Sequence, residues 1–276
     1  MQSNFITRFQ LPIFFISCLI ISWVVWIPQA ITILNSQETT PAGSSPLNVL
    51  AVWAPGIVAL ILSRIISGKS GPNKLFGQLR RWRVGIQWYL LVLFYPAALW
   101  LAALMIDRVL GHSYHITILP IMEHFGPNSS FMIPIAFISV LPNTLCEELG
   151  WRGFALPKLQ KKNNALISSL ILGLFWGIWH IPMWMGLGQT GMDLLLMVIN
   201  TIGAALLYTW IYNSTNGSLL LVWLFHFSMV VTQYLVSSLP TYTKSILSWI
   251  IVLIIVVTTG PKKLSLKKVH SGVHRQ

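Results

Sequence analysis

The sequence predicts an all-α, polytopic transmembrane helix bundle of about eight helices, and three observations carry that prediction. Apolar residues make up 55% of the chain and charged residues only 9%, against roughly 25% charged residues in soluble domains. The mean hydropathy is +0.70. Apolar runs recur along nearly the whole length, near 11–34, 48–66, 87–106, 130–157, 164–185, 192–212, 217–238 and 245–260. A bilayer core needs about 20 apolar residues per helical crossing, so each run is a candidate span. One integral-membrane domain over residues 1–276 accounts for the chain, which shows no internal repeat, low-complexity tract or second domain.

The run at 11–34 exceeds the 7–15 apolar residues of a signal peptide and lacks a small-x-small cleavage site, so it reads as a retained first helix. After the second span, the basic stretch 69–87, broken by Gly71 and Pro72, is the longest inside loop. It is expected to lie along the membrane surface with Trp82 and Trp88 as interfacial anchors. The outer loops around 39–45 and 111–129 carry turn residues and no cluster that points to chemistry. The fourth span stops at Pro157, and the seventh begins at Gly217.

A net charge of +12 raises the question of nucleic acid, and the placement of the basic residues answers it. With both termini cytoplasmic, 16 of the 18 basic residues fall in inside segments, including Arg64, Arg81, Arg83, Lys158, Lys161 and Lys262. Only Arg108 and Lys244 fall outside. That is the positive-inside pattern of an even-numbered bundle, helped by anionic lipid, and it makes membrane lipid rather than nucleic acid the partner. The expected location is the plasma membrane. Cys18 and Cys146 both lie in apolar runs and read as reduced packing residues rather than a disulfide.

Only six acidic residues exist, and Glu38, Asp107, Glu123 and Asp193 fall at or near the ends of apolar runs, where water is expected to reach them. Glu147 and Glu148 lie inside one, with Arg152 a turn further on. An ionisable group at that depth costs roughly 2.5 kcal/mol or more, so it marks a functional site by default. Of the seven histidines, only His180 and His226 fall inside apolar spans. Neighbours on a helix point about 100° apart, so the two glutamates take different directions. Glu148 and Arg152 are i,i+4 and form an ion pair. Glu147 is then the freer carboxylate, suited to take and return a proton, with Asn143 placed to orient it.

Two hydrolytic designs fit these groups. In one, Glu147, His180 and His226 hold Zn2+ and leave a position for water. In the other no metal is used: Glu147 activates water and the histidines hydrogen-bond the substrate carbonyl and its developing oxyanion. The single-helix H-E-x-x-H zinc signature is absent. At 1.5 Å per residue, Glu147 and His226 both lie roughly 15 Å from the cytoplasmic ends of their helices, while His180 comes out deeper, at roughly 24 Å.

Glu147-Glu148-x-x-x-Arg152, then Trp176-Gly177-Ile178-Trp179-His180-Ile181-Pro182, then the histidine helix at His226 together resemble the CPBP family, the Abi or type II CAAX-protease-like intramembrane endopeptidases. The resemblance covers about residues 130–238. It implies a helix bundle with its site in a cavity between helices, cleaving peptide bonds of membrane-associated substrates, prenylated CAAX-like or leader-peptide segments among them. By that likeness Glu147 and Glu148 are the catalytic carboxylates, Arg152 their structural partner, and His180 and His226 the other catalytic or ligand groups. Two positions depart from the family pattern. Trp176 stands where the family usually has Phe, and Val230 where it often has Asn. Valine cannot donate to an oxyanion, so that role is lost or passes to Ser228, Asn200 or Gln233. A non-catalytic immunity or partner-binding protein of the same fold is the alternative, and a proton-coupled transporter a third reading.

Overall fold

The computed structural model describes residues 2–36, 47–112, 116, 129–236 and 242–266. The chain is an all-α bundle, with no β-strand among the described residues. Its helices are α1 (Gln2–Arg8), α2 (Gln10–Ser36), α3 (Leu47–Ser67), α4 (Ser70–Gly77), α5 (Ile86–Val109), α6 (Ser129–Glu148), α7 (Ala165–Met185), α8 (Gly191–Ser214), α9 (Leu219–Leu235) and α10 (Tyr242–Thr259). Each of the eight predicted runs falls on a helix. Helices α2, α3, α5, α7, α8 and α10 are six that are long and apolar enough to cross a membrane, and the protein is an integral membrane protein. Helix α9 is apolar but 17 residues long. Helix α6 continues past Glu148 through a π-helical segment, Leu149–Ala155, into a closing turn, Leu156–Leu159.

Lipid offers the outside of a bundle as much apolar contact as a neighbouring helix does, so close approach and hydrogen bonds choose the partners. Gly173 and Gly177 bring α7 onto α8: a Cβ at Gly173 would lie 2.8 Å from Ile202 Cα, and one at Gly177 3.1 Å from Val198. Gly56 and Gly150 do the same for α3 against α6 and its π segment, with Cβ positions 2.8 Å from the Cys146 carbonyl oxygen and 2.5 Å from Pro55. Helix α2 is tied in by polar and aromatic contacts. Ser22 Oγ donates to the Ala51 carbonyl at 2.7 Å and accepts from Trp179 Nε1 at 2.6 Å. Phe15 stacks on Phe175 with ring centroids 4.2 Å apart. Trp223 Nε1 on α9 donates to the Leu141 carbonyl of α6 at 3.1 Å, and Asn200 Nδ2 on α8 donates to Ser245 Oγ of α10 at 2.9 Å. Cys18 and Cys146 are free thiols.

The basic segments gather at one end of the bundle. Arg81 Nη1 donates to the Asn216 carbonyl at 2.7 Å and lies 3.2 Å from that of Gly217. Gln78 Nε2 donates to the Gly153 carbonyl at 3.0 Å, and the Ala165 N–H donates to the Lys262 carbonyl at 3.1 Å.

Several sequence expectations change here. The stretch 69–87 does not simply lie along a surface: α4 folds back so that a Cβ at Gly71 would fall 1.9 Å from the Ser63 carbonyl oxygen, and Leu75 is buried beside Gly153. Trp82 is 56% exposed, as an interfacial anchor would be, whereas Trp88 packs on Trp210 at 5.0 Å. Asp107 is fully buried and accepts a hydrogen bond from Thr243 Oγ1, so water does not reach it. Asp193 is exposed, while Glu38, Glu123, the loop 39–45 and most of 111–129 lie outside the described residues.

Candidate active site

After Glu148 the helix changes its winding. Leu149–Ala155 is π-helical, and all seven of its residues are buried. Segments of this kind are rare and are found frequently at functional sites. Gly150 and Gly153 let the segment press against Pro55 on one side and Leu75 and Leu219 on another, which closes it off all round. Arg152, counted from the sequence among the inside-loop cations, is therefore fully buried within the bundle.

Arg152 Nη1 donates to Glu148 Oε1 at 2.9 Å, and both side chains are 0% exposed. His226 Nδ1 lies 2.8 Å from the same oxygen, so the ring donates from Nδ1 and its Nε2 is left to face elsewhere. The Arg152 guanidinium is sandwiched between the rings of Trp176 and Tyr208, each centroid 4.2 Å from Cζ. Arg152 Nε and Nη2 and Glu148 Oε2 have no hydrogen-bond partner among the described residues. Two aromatic faces stand in for acceptors around this cation.

Glu147 is held differently. Trp176 Nε1 donates to its Oε2 at 2.8 Å, and the residue keeps 7% exposure where Glu148 has none. Trp176 also sets His180, whose Nδ1 lies 2.8 Å from the Trp176 carbonyl oxygen. A carbonyl only accepts, so Nδ1 carries the proton and Nε2 keeps its lone pair. The His180 ring stacks on Trp184 at 4.9 Å and 7°, and meets Trp179 edge-on at 4.6 Å. Trp176 meets the His226 ring at 5.6 Å and the His180 ring at 5.8 Å.

Glu147, Glu148, Arg152 and His226 thus converge around Trp176, and His180 joins them one turn along α7 without bonding either carboxylate. That turn accounts for the deeper position read from the sequence: α7 reaches Glu147 through Trp176, not through His180. Among the described residues, no three His, Cys, Asp or Glu side chains converge closely enough to hold a metal ion. As arranged here, Glu147, His180 and His226 do not fit the three-ligand zinc design.

Other expected roles fall elsewhere. Asn143 Oδ1 accepts from Trp53 Nε1 at 2.8 Å and so braces α3 rather than Glu147. Ser228 Oγ bonds the Val92 and Phe225 carbonyl oxygens, Asn200 bonds Ser245, and Gln233 is exposed. Among the described residues, none of the three hydrogen-bonds Glu147, Glu148, His180 or His226. Tyr208 was not singled out by the sequence, because a tyrosine in an apolar span carries no motif. The indole N–H of Trp176 was visible only as an aromatic exchange.

Residues 127–232 match the family described as type II CAAX prenyl endopeptidase Rce1-like. The chain is similar to the CPBP family, as its motifs indicated. A curated protein named CAAX prenyl protease 2, from Methanococcus maripaludis, is 24% identical over 252 residues, which span 83% of this chain and 86% of that relative. Glu147, Glu148, Arg152, His180 and His226 all lie inside the CAAX-endopeptidase-like segment.

Proposed function

We propose that this chain is an intramembrane endopeptidase in which Glu147 activates the water that attacks a peptide bond. The observation that carries the reading is the unequal treatment of two adjacent carboxylates. Glu148 is fully buried and shares one oxygen between Arg152 and His226, whereas Glu147 has one side-chain donor and residual exposure. Glu147 takes a proton from water as the oxygen bonds to the scissile carbonyl carbon, and returns it to the departing amine nitrogen as the C–N bond breaks. Trp176 holds Oε2 so that the other carboxylate oxygen faces the water. His180, with Nδ1 engaged, offers the Nε2 lone pair to orient that water. His226, whose Nδ1 is engaged by Glu148, donates from Nε2 in its protonated form to the oxyanion that forms. A single donor there, without an asparagine at 230, gives a sparser oxyanion site than the family pattern.

The core of the activity is assigned to residues 130–238, and the substrate to a membrane-associated peptide or protein. The CAAX prenyl protease name of the relative supports prenylated C-terminal segments first, with leader peptides second. The test is cleavage of lipidated and unlipidated fluorogenic C-terminal peptides by wild type and Glu147→Gln, with and without chelator. Cleavage lost in the variant and unchanged by chelator is expected. Retained cleavage in the variant overturns the base assignment, and loss with chelator overturns the metal-free chemistry.

Val230, together with the outward engagement of Ser228 and Asn200, favours a second reading as a non-catalytic partner-binding protein. Under it, the phenotype of the chain survives a Glu147→Gln, His226→Ala double substitution.

A further inference from the structure

At the basic end of the bundle, the segment between the 3-10 turn Gln78–Arg80 and α5 faces the turn between α8 and α9 across a cleft of about 380 Å³. Its lining includes Arg80, Arg81, Arg83, Trp82, Thr215 and Asn216. The volume falls within the roughly 300–1,000 Å³ of small-molecule sites. We infer that this cleft binds the phosphate of an anionic phospholipid headgroup.

Position is the first argument. Residues 80–84 lead directly into α5, and Thr215 and Asn216 join α8 to α9, so the cleft sits where three apolar helices end and headgroups begin. Trp82, 56% exposed at the rim, has the placement of an interfacial anchor.

Charge is the second. The ion pairs among the described residues involve Asp107 and Glu148, and none involves Arg80, Arg81 or Arg83. Three arginines therefore line one cleft with no carboxylate paired to them among the described residues. Each presents planar N–H donors that match phosphate oxygens.

Preorganisation is the third. Arg81 is fixed by the Asn216 and Gly217 carbonyls, which the positive φ of both residues, 59° and 71°, turns toward it. The Trp82 carbonyl accepts from Tyr89 Oη at 2.7 Å and from the Val84 N–H at 2.9 Å. A loop pinned this way holds Arg80 and Arg83 at the opening without ordering them at each binding event. Arg83 lies 5.3 Å from the Trp82 ring, which steadies it further.

The test uses the full chain in neutral detergent, titrated with phosphatidylglycerol, phosphatidylcholine or inorganic phosphate, with bound lipid counted by native mass spectrometry. The variants are Arg80→Gln/Arg83→Gln, which spares the Arg81 brace, and Lys161→Gln/Lys162→Gln, which removes equal charge from another loop. Wild type is expected to retain phosphatidylglycerol selectively over phosphatidylcholine. The arginine pair is expected to weaken that binding about 30-fold, from roughly fivefold per surface cation, with an unchanged melting temperature. The lysine pair should leave it near wild type. Equal loss in both variants would mean diffuse attraction and overturn the site. Displacement of the lipid by inorganic phosphate at matched concentration would move the assignment to free phosphate and overturn the lipid one. None of these readouts depends on catalysis.

Discussion

Glu147 and Glu148 show how one position along a helix separates two chemical fates. Glu148 points into the sandwich of Arg152, Trp176 and Tyr208 and is locked, while Glu147 points toward the indole N–H of Trp176 and keeps access. Glu147→Gln preserves the size and the bond to Trp176 but removes the carboxylate proposed as the base. The expected result is a cleavage rate lower by about 10²–10⁴-fold or more with an unchanged melting temperature. Arg152→Ala leaves a buried carboxylate with His226 as its remaining hydrogen-bond partner. Breaking a buried pair from one side costs about 3–5 kcal/mol, so this variant should melt at lower temperature or fail to accumulate, which a thermal scan in detergent reads. Trp176→Phe separates a ring from its N–H. The face over Arg152 is kept and the bond to Glu147 is lost, so kcat should fall by about tenfold with KM and stability near wild type. An equal loss in stability would show that the tryptophan acts through packing alone.

At the scale of elements, the π segment Leu149–Ala155 and its glycines decide how close α3 comes to α6. A Cβ at Gly150 would lie 2.5–2.6 Å from the Pro55 Cβ and backbone, and backbone atoms cannot swing aside. Gly150→Ala should therefore displace α3, lower the melting temperature and reduce cleavage through the shifted Glu148–Arg152 pair. Gly77→Ala is the contrasting case, because a Cβ there meets nothing within 4 Å and its φ of −58° suits any residue. It should be neutral or stabilise by about 0.4–1 kcal/mol. Parallel thermal scans of the two variants separate helix contact from a general intolerance of side chains at glycine.

Across the whole molecule, charge and packing agree on one end. Arg81 meets the α8–α9 turn, Gln78 meets Gly153, and the Ala165 N–H meets Lys262, so three basic segments far apart in sequence share a surface. Arg108, at the C-terminal end of α5, marks the opposite end. In a chain lacking Cys18 and Cys146, single cysteines at Arg83 and Lys161 are expected to react with an impermeant thiol reagent from the cytoplasmic side, and one at Arg108 from the other. Labelling of Arg83→Cys and Lys161→Cys from different sides would contradict the common basic face.

Composition and hydropathy were enough to read the all-α membrane bundle, its eight apolar runs and the ionisable groups set inside them. They were enough because both signals are local: twenty apolar residues cross a bilayer in any context, and a charge inside such a run stands out by its cost. The Glu148–Arg152 pair was legible for the same reason, since i,i+4 spacing brings the two together within one helix. Packing between helices settled the rest. Whether Glu147 is held by Asn143 or by Trp176 depends on the approach of α7 to α6, and Asn143 went to Trp53 instead. Tyr208 joined Arg152 because α8 packs against α7 through Gly173 and Gly177. Ser228 turned to the Val92 carbonyl because α9 lies against α5. Such contacts come from distances between helices, and a helix's own sequence specifies its apolar face far more strongly than the neighbour that covers it.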